Sequence, residues 1–178
     1  RQEQEFFRYG LHISRQNMAD WTIQCADRYL AVLYDYLHEK MYGYHVLQAD
    51  ETPVPVNKDG RPAGSKSYMW VCRTGRMYTG RQIVLYEYQR TRNASHPREF
   101  LRDFSGICVT DGYQVYHTVE NEREDLRIAG CWSHARRRFD EAVKALPKTK
   151  QKDSRAYLAL TMIQAIYREE KQLKELSA

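Results

Sequence analysis

The chain has 178 residues and a mass of 21.2 kDa, with 42% hydrophobic and 29% charged residues, nine glycines and five prolines. That is one ordinary domain's worth of protein, large enough to bury about two-thirds of its unfolded surface, which excludes a disordered tract or a small disulfide scaffold. The formal net charge is +5, and the segment from Ser133 to Lys152 holds seven Lys or Arg against two acids, an excess equal to that of the whole chain. A basic block of this kind suits a polyanionic partner, and it suits a solvated helix face equally well.

No apolar run nears the roughly 18 residues that cross a bilayer, and neither an initiator Met nor an apolar leader opens the sequence. The expectation is a soluble, cytoplasmic protein cut from a longer chain, with no membrane partner. The cysteines, Cys25, Cys72, Cys108 and Cys131, form no CxxC pair. Reduced thiols in or near the core are expected, rather than a disulfide framework or a four-thiolate zinc site.

Taken in chain order, the first forty residues read as helical. Ser14 is an N-cap candidate, and Ile23, Ala26, Leu30, Leu33 and Leu37 recur at three- and four-residue steps until Gly43. Such a stripe has to be covered, by a partner helix, a second subunit or the sheet of the same domain. After Gly43 the pattern changes to short strands at Tyr44 to Ala49, Tyr68 to Arg73 and Gln82 to Gln89, with turns at Asn57 to Gly64 and Arg73 to Gly80. A short helix from His96 to Asp103 carries Pro97 in its first turn. A buried strand Ile107 to Thr110, a helix Tyr113 to Asn121 and a last strand Arg127 to Cys131 come next, and Ser133 to Leu176 is helical. The order predicts an α/β fold built on a mixed five-stranded sheet flanked by helices, with a long N-terminal helical segment over 1–43.

Two acids stand where an apolar run stops, Asp50 in Leu-Gln-Ala-Asp-Glu-Thr-Pro and Asp111 in Val-Thr-Asp-Gly-Tyr. If the first and fourth strands are neighbours, the two carboxylates lie side by side at the sheet edge. Like charges that close need a cation, and hard oxygen ligands suit a pair of Mg²⁺ or Mn²⁺ ions. Taken singly, each aspartate reads equally as a turn residue. On the last helix Ala159, Met162, Ile163, Ile166 and Leu173 form an apolar stripe that contains Glu170, with Glu169 nearer its edge. Glu170 is a third-acid candidate, or a helix-end Glu paired with Lys174 at i+4. Glu141, on the helix after the fifth strand, competes with it.

The run Ala-Gly-Cys-Trp-Ser-His-Ala-Arg-Arg-Arg-Phe, residues 129 to 139, puts His134, Arg137 and Arg138 on one expected helix face with Trp132 just upstream. An imidazole and two guanidiniums are equipment for holding DNA phosphate, and the indole can stack on an unpaired base. A solvated amphipathic helix is the alternative. Cys131 and His134 have half of a zinc spacing without a second pair. No Gly-rich phosphate loop is present, so no nucleotide cofactor is expected.

These motifs, together with Ile-Tyr-Arg-Glu-Glu-Lys-Gln-Leu-Lys-Glu-Leu near the end, resemble in order and spacing the core of bacterial transposases of the insertion sequence 66 family. The resemblance covers about Ile13 to Ala178. It implies a ribonuclease H-like DDE catalytic core over 44–178, with a helical insertion at about 135–165. Three acids there would bind two divalent ions, Mg²⁺ or Mn²⁺, for DNA strand cleavage and strand transfer without a covalent protein intermediate. Carried over by motif, the acids fall on Asp50, Asp111 and Glu170, the last because a late Tyr-x-x-Glu element matches Tyr167 to Glu170. His134, Arg136 and Arg137 are then the candidates for holding DNA phosphates near the ions. The implied partners are transposon-end and target DNA and further copies of the chain when active, at the nucleoid in the cytoplasm. Two alternatives are a related nuclease that cuts without joining and a non-catalytic DNA-binding or assembly remnant.

Overall fold

The computed structural model describes residues 1–56, 60–62, 64–75, 77–78 and 80–176, with side chains as far as Leu173. Parts of both predicted turns, residues 57–59, 63, 76 and 79, therefore lie outside the described residues, as does the side chain of Lys174, the i+4 partner considered for Glu170.

The chain opens with α1 (Gln2–Arg8) and α2 (Arg15–Cys25), and Ser14 caps α2 by accepting the Asn17 N–H, as its sequence position predicts. A π turn over Ala26–Leu30 leads directly into α3 (Ala31–Met41). The predicted stripe does not survive that turn. A π turn inserts an extra residue and rotates everything after it, so positions spaced for a uniform α-helix leave their common face. Ile23, Leu30 and Leu33 are exposed, while Tyr34, Leu37 and Met41 reach the core.

The sheet is built from β1 (Val46–Pro55), β2 (Lys66–Thr74), β3 (Val84–Gln89), β4 (Gly106–Thr110) and β5 (Leu126–Gly130), in the order β3-β2-β1-β4-β5. The first three strands form an antiparallel meander, and β4 and β5 add on the other side of β1 in parallel. Their connections run through α4 (Ser95–Phe100) and α5 (Gln114–Asn121). The predicted mixed five-stranded sheet is thus present. The sequence pattern ends β1 at Ala49, but the strand runs on to Pro55. Beyond Gln48 it pairs only with β2, because β4 stops at Thr110. One side of β1 becomes a free edge there, and a free edge tolerates Pro53 and Pro55, which have no N–H to donate.

One face of the sheet carries the core. Leu47 of β1, Cys72 of β2, Leu85 of β3 and Cys108 of β4 are buried there with Leu101, Phe104, Val119 and Leu126. Burial of each large side chain contributes about 1.5–3 kcal/mol. Cys72 and Cys108 are free thiols inside it, where burial pushes the Cys108 thiol up to about 12. Cys25, by contrast, is exposed and does not join the core as expected.

β4 can lie against β1 only because Gly106 begins it. Its φ is +147°, and a Cβ would sit 2.4 Å from the His45 carbonyl oxygen, a backbone atom with no rotamer to give way. Gly106→Ala is expected to lower the thermal midpoint by several degrees, corresponding to at least the roughly 1–3 kcal/mol of an overpacked core. A midpoint within 1 °C or so of the parent would contradict the close approach.

After β5 the chain is helical: α6 (Trp132–Lys144), a short α7 (Lys148–Gln151) and α8 (Arg155–Leu176). α8 packs along α6, with Ser133 in the first turn of α6 meeting the Tyr167 hydroxyl at 3.4 Å. The buried positions of α8 are Leu160 and Ile163 followed by half-buried Tyr167, whereas Met162, Ile166 and Leu173 of the predicted stripe are exposed. Apolar residues on α8 extend around more than one face, so periodicity alone does not select the side that meets α6.

Candidate active site at the carboxyl ends of the parallel strands

β1, β4 and β5 run in the same direction, so their carboxyl ends gather at one end of the sheet. That end is where open α/β sheets place their ligands. The last registered pair of β1 and β4 is Gln48 with Val109. Two positions further along the chain in each case come Asp50, still within β1, and Asp111, the first residue past the end of β4, so both aspartates stand at this end of the sheet. Alternation puts both on the face opposite the core, because Leu47, Ala49 and Glu51 take the other. At the same end β5 gives way to α6, whose cap residue Cys131 donates its N–H to the Thr110 carbonyl at 2.7 Å.

Each aspartate has one oxygen fixed by the backbone. Asp50 Oδ1 accepts the Glu51 N–H, and Asp111 Oδ1 accepts the Tyr113 N–H, both at 2.9 Å. Each remaining Oδ2 faces a basic side chain just beyond hydrogen-bond reach: His134 Nε2 at 3.6 Å from Asp50 and Arg92 Nη2 at 3.7 Å from Asp111. The Asp50 side chain is 44% exposed and that of Asp111 is 19% exposed. Two half-open carboxylates with one oriented oxygen each are the hard donors that a divalent cation takes, so the residues present suit such an ion. Among the described residues, however, no group of three or more His, Cys, Asp or Glu comes together as a metal-binding cluster.

Glu170 lies elsewhere. It is exposed on α8 and lines an open cleft with Ser133, Arg136, Arg137, Gln164 and Tyr167. Glu141, the competing third acid, is exposed on α6. The predicted common face of His134, Arg137 and Arg138 is divided. His134 turns to Asp50, Arg137 joins Arg136 in the cleft against α8, and Arg138 lines a second cleft with Asp111 and Trp132. The reason is helical: adjacent residues stand 100° apart, and the line between α8 and the sheet end falls between 137 and 138. His134 Nδ1 is buried and has no hydrogen-bond partner among the described residues.

Sequence reasoning missed the network behind Asp111. Glu51 is buried, its side chain wholly inaccessible. It accepts from Arg92 Nε at 2.7 Å and from the Tyr116 hydroxyl at 2.8 Å, with Arg92 Nη2 also on the same carboxylate. The Arg92 guanidinium lies 3.7 Å from the Tyr113 ring centroid, and the Tyr113 hydroxyl donates to the Arg92 carbonyl. Burial pushes the Glu51 carboxyl above the usual carboxylate range, against the lowering effect of the Arg92 and Tyr116 hydrogen bonds. The signal was present at Glu51, an acid on the core-facing phase of a strand, which demands a buried partner. Nothing in the sequence singled out Arg92 as that partner.

A five-stranded sheet with an antiparallel meander, two parallel strands added beside its first strand and helices around it defines an α/β protein of the ribonuclease H-like kind. The chain belongs to the transposase IS66 family, whose model matches residues 1–178. Similar curated chains include two from Sinorhizobium fredii (strain NBRC 101917 / NGR234). The uncharacterized protein y4qI is 34% identical over 148 residues, covering 78% of this chain and 27% of its own length. The uncharacterized protein y4jD is 31% identical over 152 residues, covering 81% of this chain and 30% of its own length. The chain thus spans less than a third of the length of these curated relatives. No helix among the described residues is long and apolar enough to cross a membrane.

Proposed function

We propose that this chain is the catalytic core of a DDE transposase, performing divalent-metal-dependent DNA strand cleavage and strand transfer. The observation that carries the reading is that β1 and β4 are parallel neighbours, with Asp50 near the carboxyl end of their pairing and Asp111 just past the end of β4, within a chain of the transposase IS66 family. Asp50 and Asp111 would hold the metal ions, Mg²⁺ or Mn²⁺, and Glu170, in the neighbouring cleft between α6 and α8, is the third-acid candidate on its motif position. Two bound ions supply activation of the attacking oxygen and stabilisation of the leaving oxygen in an in-line phosphoryl transfer.

The chain's own groups do the positioning. The backbone N–H groups of Glu51 and Tyr113 orient the two carboxylates, so little freedom is lost when a ligand engages the outer oxygens. Arg136 and Arg137, in the cleft that also holds Glu170, seat DNA phosphates beside the third acid. His134 faces the outer Asp50 oxygen from the first turn of the same helix and offers its ring to a phosphate, while Trp132 and Arg138 take the strand on the Asp111 side. DNA ends, target DNA and further copies of the chain are the partners of the intact protein, acting at the nucleoid.

Titration with Mn²⁺, followed by the loss of its free electron-spin signal, tests the metal site directly. Binding by the parent chain that weakens at least tenfold in Asp111→Asn is expected. Absence of Mn²⁺ binding, or binding indifferent to Asp111, overturns the assignment.

A further inference from the structure

We propose that the cleft between the end of β4 and the outer face of α6 is a nucleobase pocket, which takes one unstacked base of the strand whose phosphodiester lies at Asp50 and Asp111. The inference rests on the reading of those aspartates as a strand-cleaving site and specifies how the substrate lies in it. Trp132, Ala135, Phe139 and Ala142 succeed one another at three- and four-residue steps, so they form a single stripe along α6. With Asp111 and Arg138 they line the cleft.

This stripe is not used for packing. α6 meets α8 through a different face, marked by Ser133 and by Arg136 and Arg137 in the intervening cleft. Trp132 remains 51% exposed and Phe139 39% exposed. Two large aromatic groups held in water two turns apart, with only an alanine methyl between them, leave an open apolar gap where a soluble surface ordinarily has polar side chains.

The chemistry of the walls selects the occupant. Asp111, a metal-ligand candidate, lines the same cleft, so the occupant lies beside whatever the ions engage. In the proposed reaction that is a DNA strand, and one nucleotide away from the scissile phosphate there is a base. Arg138 supplies a cation for the intervening phosphate and a planar group for stacking. A paired base inside a duplex has both faces covered and cannot enter, so the base that fits is flipped or frayed out of the stack. Aromatic faces accept any base, so the pocket helps hold the strand without reading its sequence.

The test uses a single-stranded dodecamer carrying one 5-iodouracil, irradiated in complex with the protein and mapped by mass spectrometry. Cross-links on Trp132 or Phe139 are expected. In parallel, Trp132→Ala should weaken binding of a thymidine dodecamer about tenfold, leave binding of a dodecamer of abasic sites unchanged, and be rescued by Trp132→Tyr. Cross-links confined to other residues, or equal losses for thymidine and abasic strands, overturn the pocket and leave the metal-dependent reading standing. Mn²⁺ binding that is absent while Trp132 still cross-links overturns the cleavage reading and leaves the base pocket. Failure to bind either dodecamer overturns both.

Discussion

Asp50→Asn is expected to abolish metal-dependent cleavage of a DNA end by the intact protein while leaving DNA affinity equal or slightly tighter. The carboxylate at 50 is one of two hard donors at the end of the parallel strands, and its Oδ1 is already committed to the Glu51 N–H. An amide keeps the shape and can still accept that N–H, but it removes the negative charge that the proposed cation requires. Loss of an outer-shell partner of a metal ligand costs about 10–100-fold, so loss of a ligand should exceed 100-fold or so in rate. On the same reading DNA affinity is set by phosphate contacts from other side chains, and removing a negative charge that faces phosphate should not weaken it. The check is a labelled duplex end incubated with Mg²⁺ and resolved by gel, beside an anisotropy titration of the same duplex. Cleavage retained at a tenth or more of the parent rate would remove Asp50 from the mechanism.

The second large effect is expected at Arg92→Ala. It leaves Glu51 buried with only the Tyr116 hydroxyl, and breaking a buried pair costs about 3–5 kcal/mol. Arg92 is itself about one-third exposed, which places the loss near the lower end. At about 2–4 °C per kcal/mol for a chain of this size, the midpoint should fall by about 6–12 °C. The pH dependence identifies the cause. Burial already holds the Glu51 carboxyl above its usual range, and losing Arg92 removes an opposing influence, so it rises further. A carboxyl with a folded value above its unfolded one binds its proton more tightly in the folded state. Stability then falls as pH rises through the window between the two values, and is flat above it. The gap between parent and Arg92→Ala midpoints should therefore widen from pH 5 to pH 7.5, and Glu51→Gln in the same background should remove the widening. A gap that is constant with pH would assign the loss to packing of the Arg92 stem instead.

Much of this architecture is legible in the sequence, for identifiable reasons. The strands of the sheet and the helices between them are set by alternation, by Gly and Pro punctuation and by apolar runs that end at Asp111. The adjacency of β1 and β4 required a topological premise, which the parallel pairing of the two strands meets, and it puts Asp50 and Asp111 at one end of the sheet. Three features were not readable. The π turn at Ala26–Leu30 has no marker in its residues and rotated the N-terminal stripe off the core. The face of α8 was ambiguous because Leu158, Met162 and Ile166 are as apolar as the positions that pack. The partition of His134, Arg137 and Arg138 depends on where a second helix lies, and no local pattern on α6 contains that information. Glu170 illustrates the same limit: its motif spacing is a property of the chain, and its place in a cleft with Arg136 and Arg137 is a property of how α8 docks.

The parallel pairing of β1 with β4 has a kinetic corollary. Asp50 and Asp111 are separated by 61 positions, and their strands cannot meet through a hairpin, whereas β1, β2 and β3 close by successive local turns. Contacts of large sequence separation are the slow ones to form, because the chain entropy of the intervening loop is spent before the contact returns anything. The meander can therefore zip while the two aspartates are still strangers, and the proposed divalent-cation site comes into being only once β4 has closed against β1. An ion that requires both carboxylates recognises the finished fold and none of its precursors. By mass action it would act as a clasp on the most entropically expensive seam of the molecule.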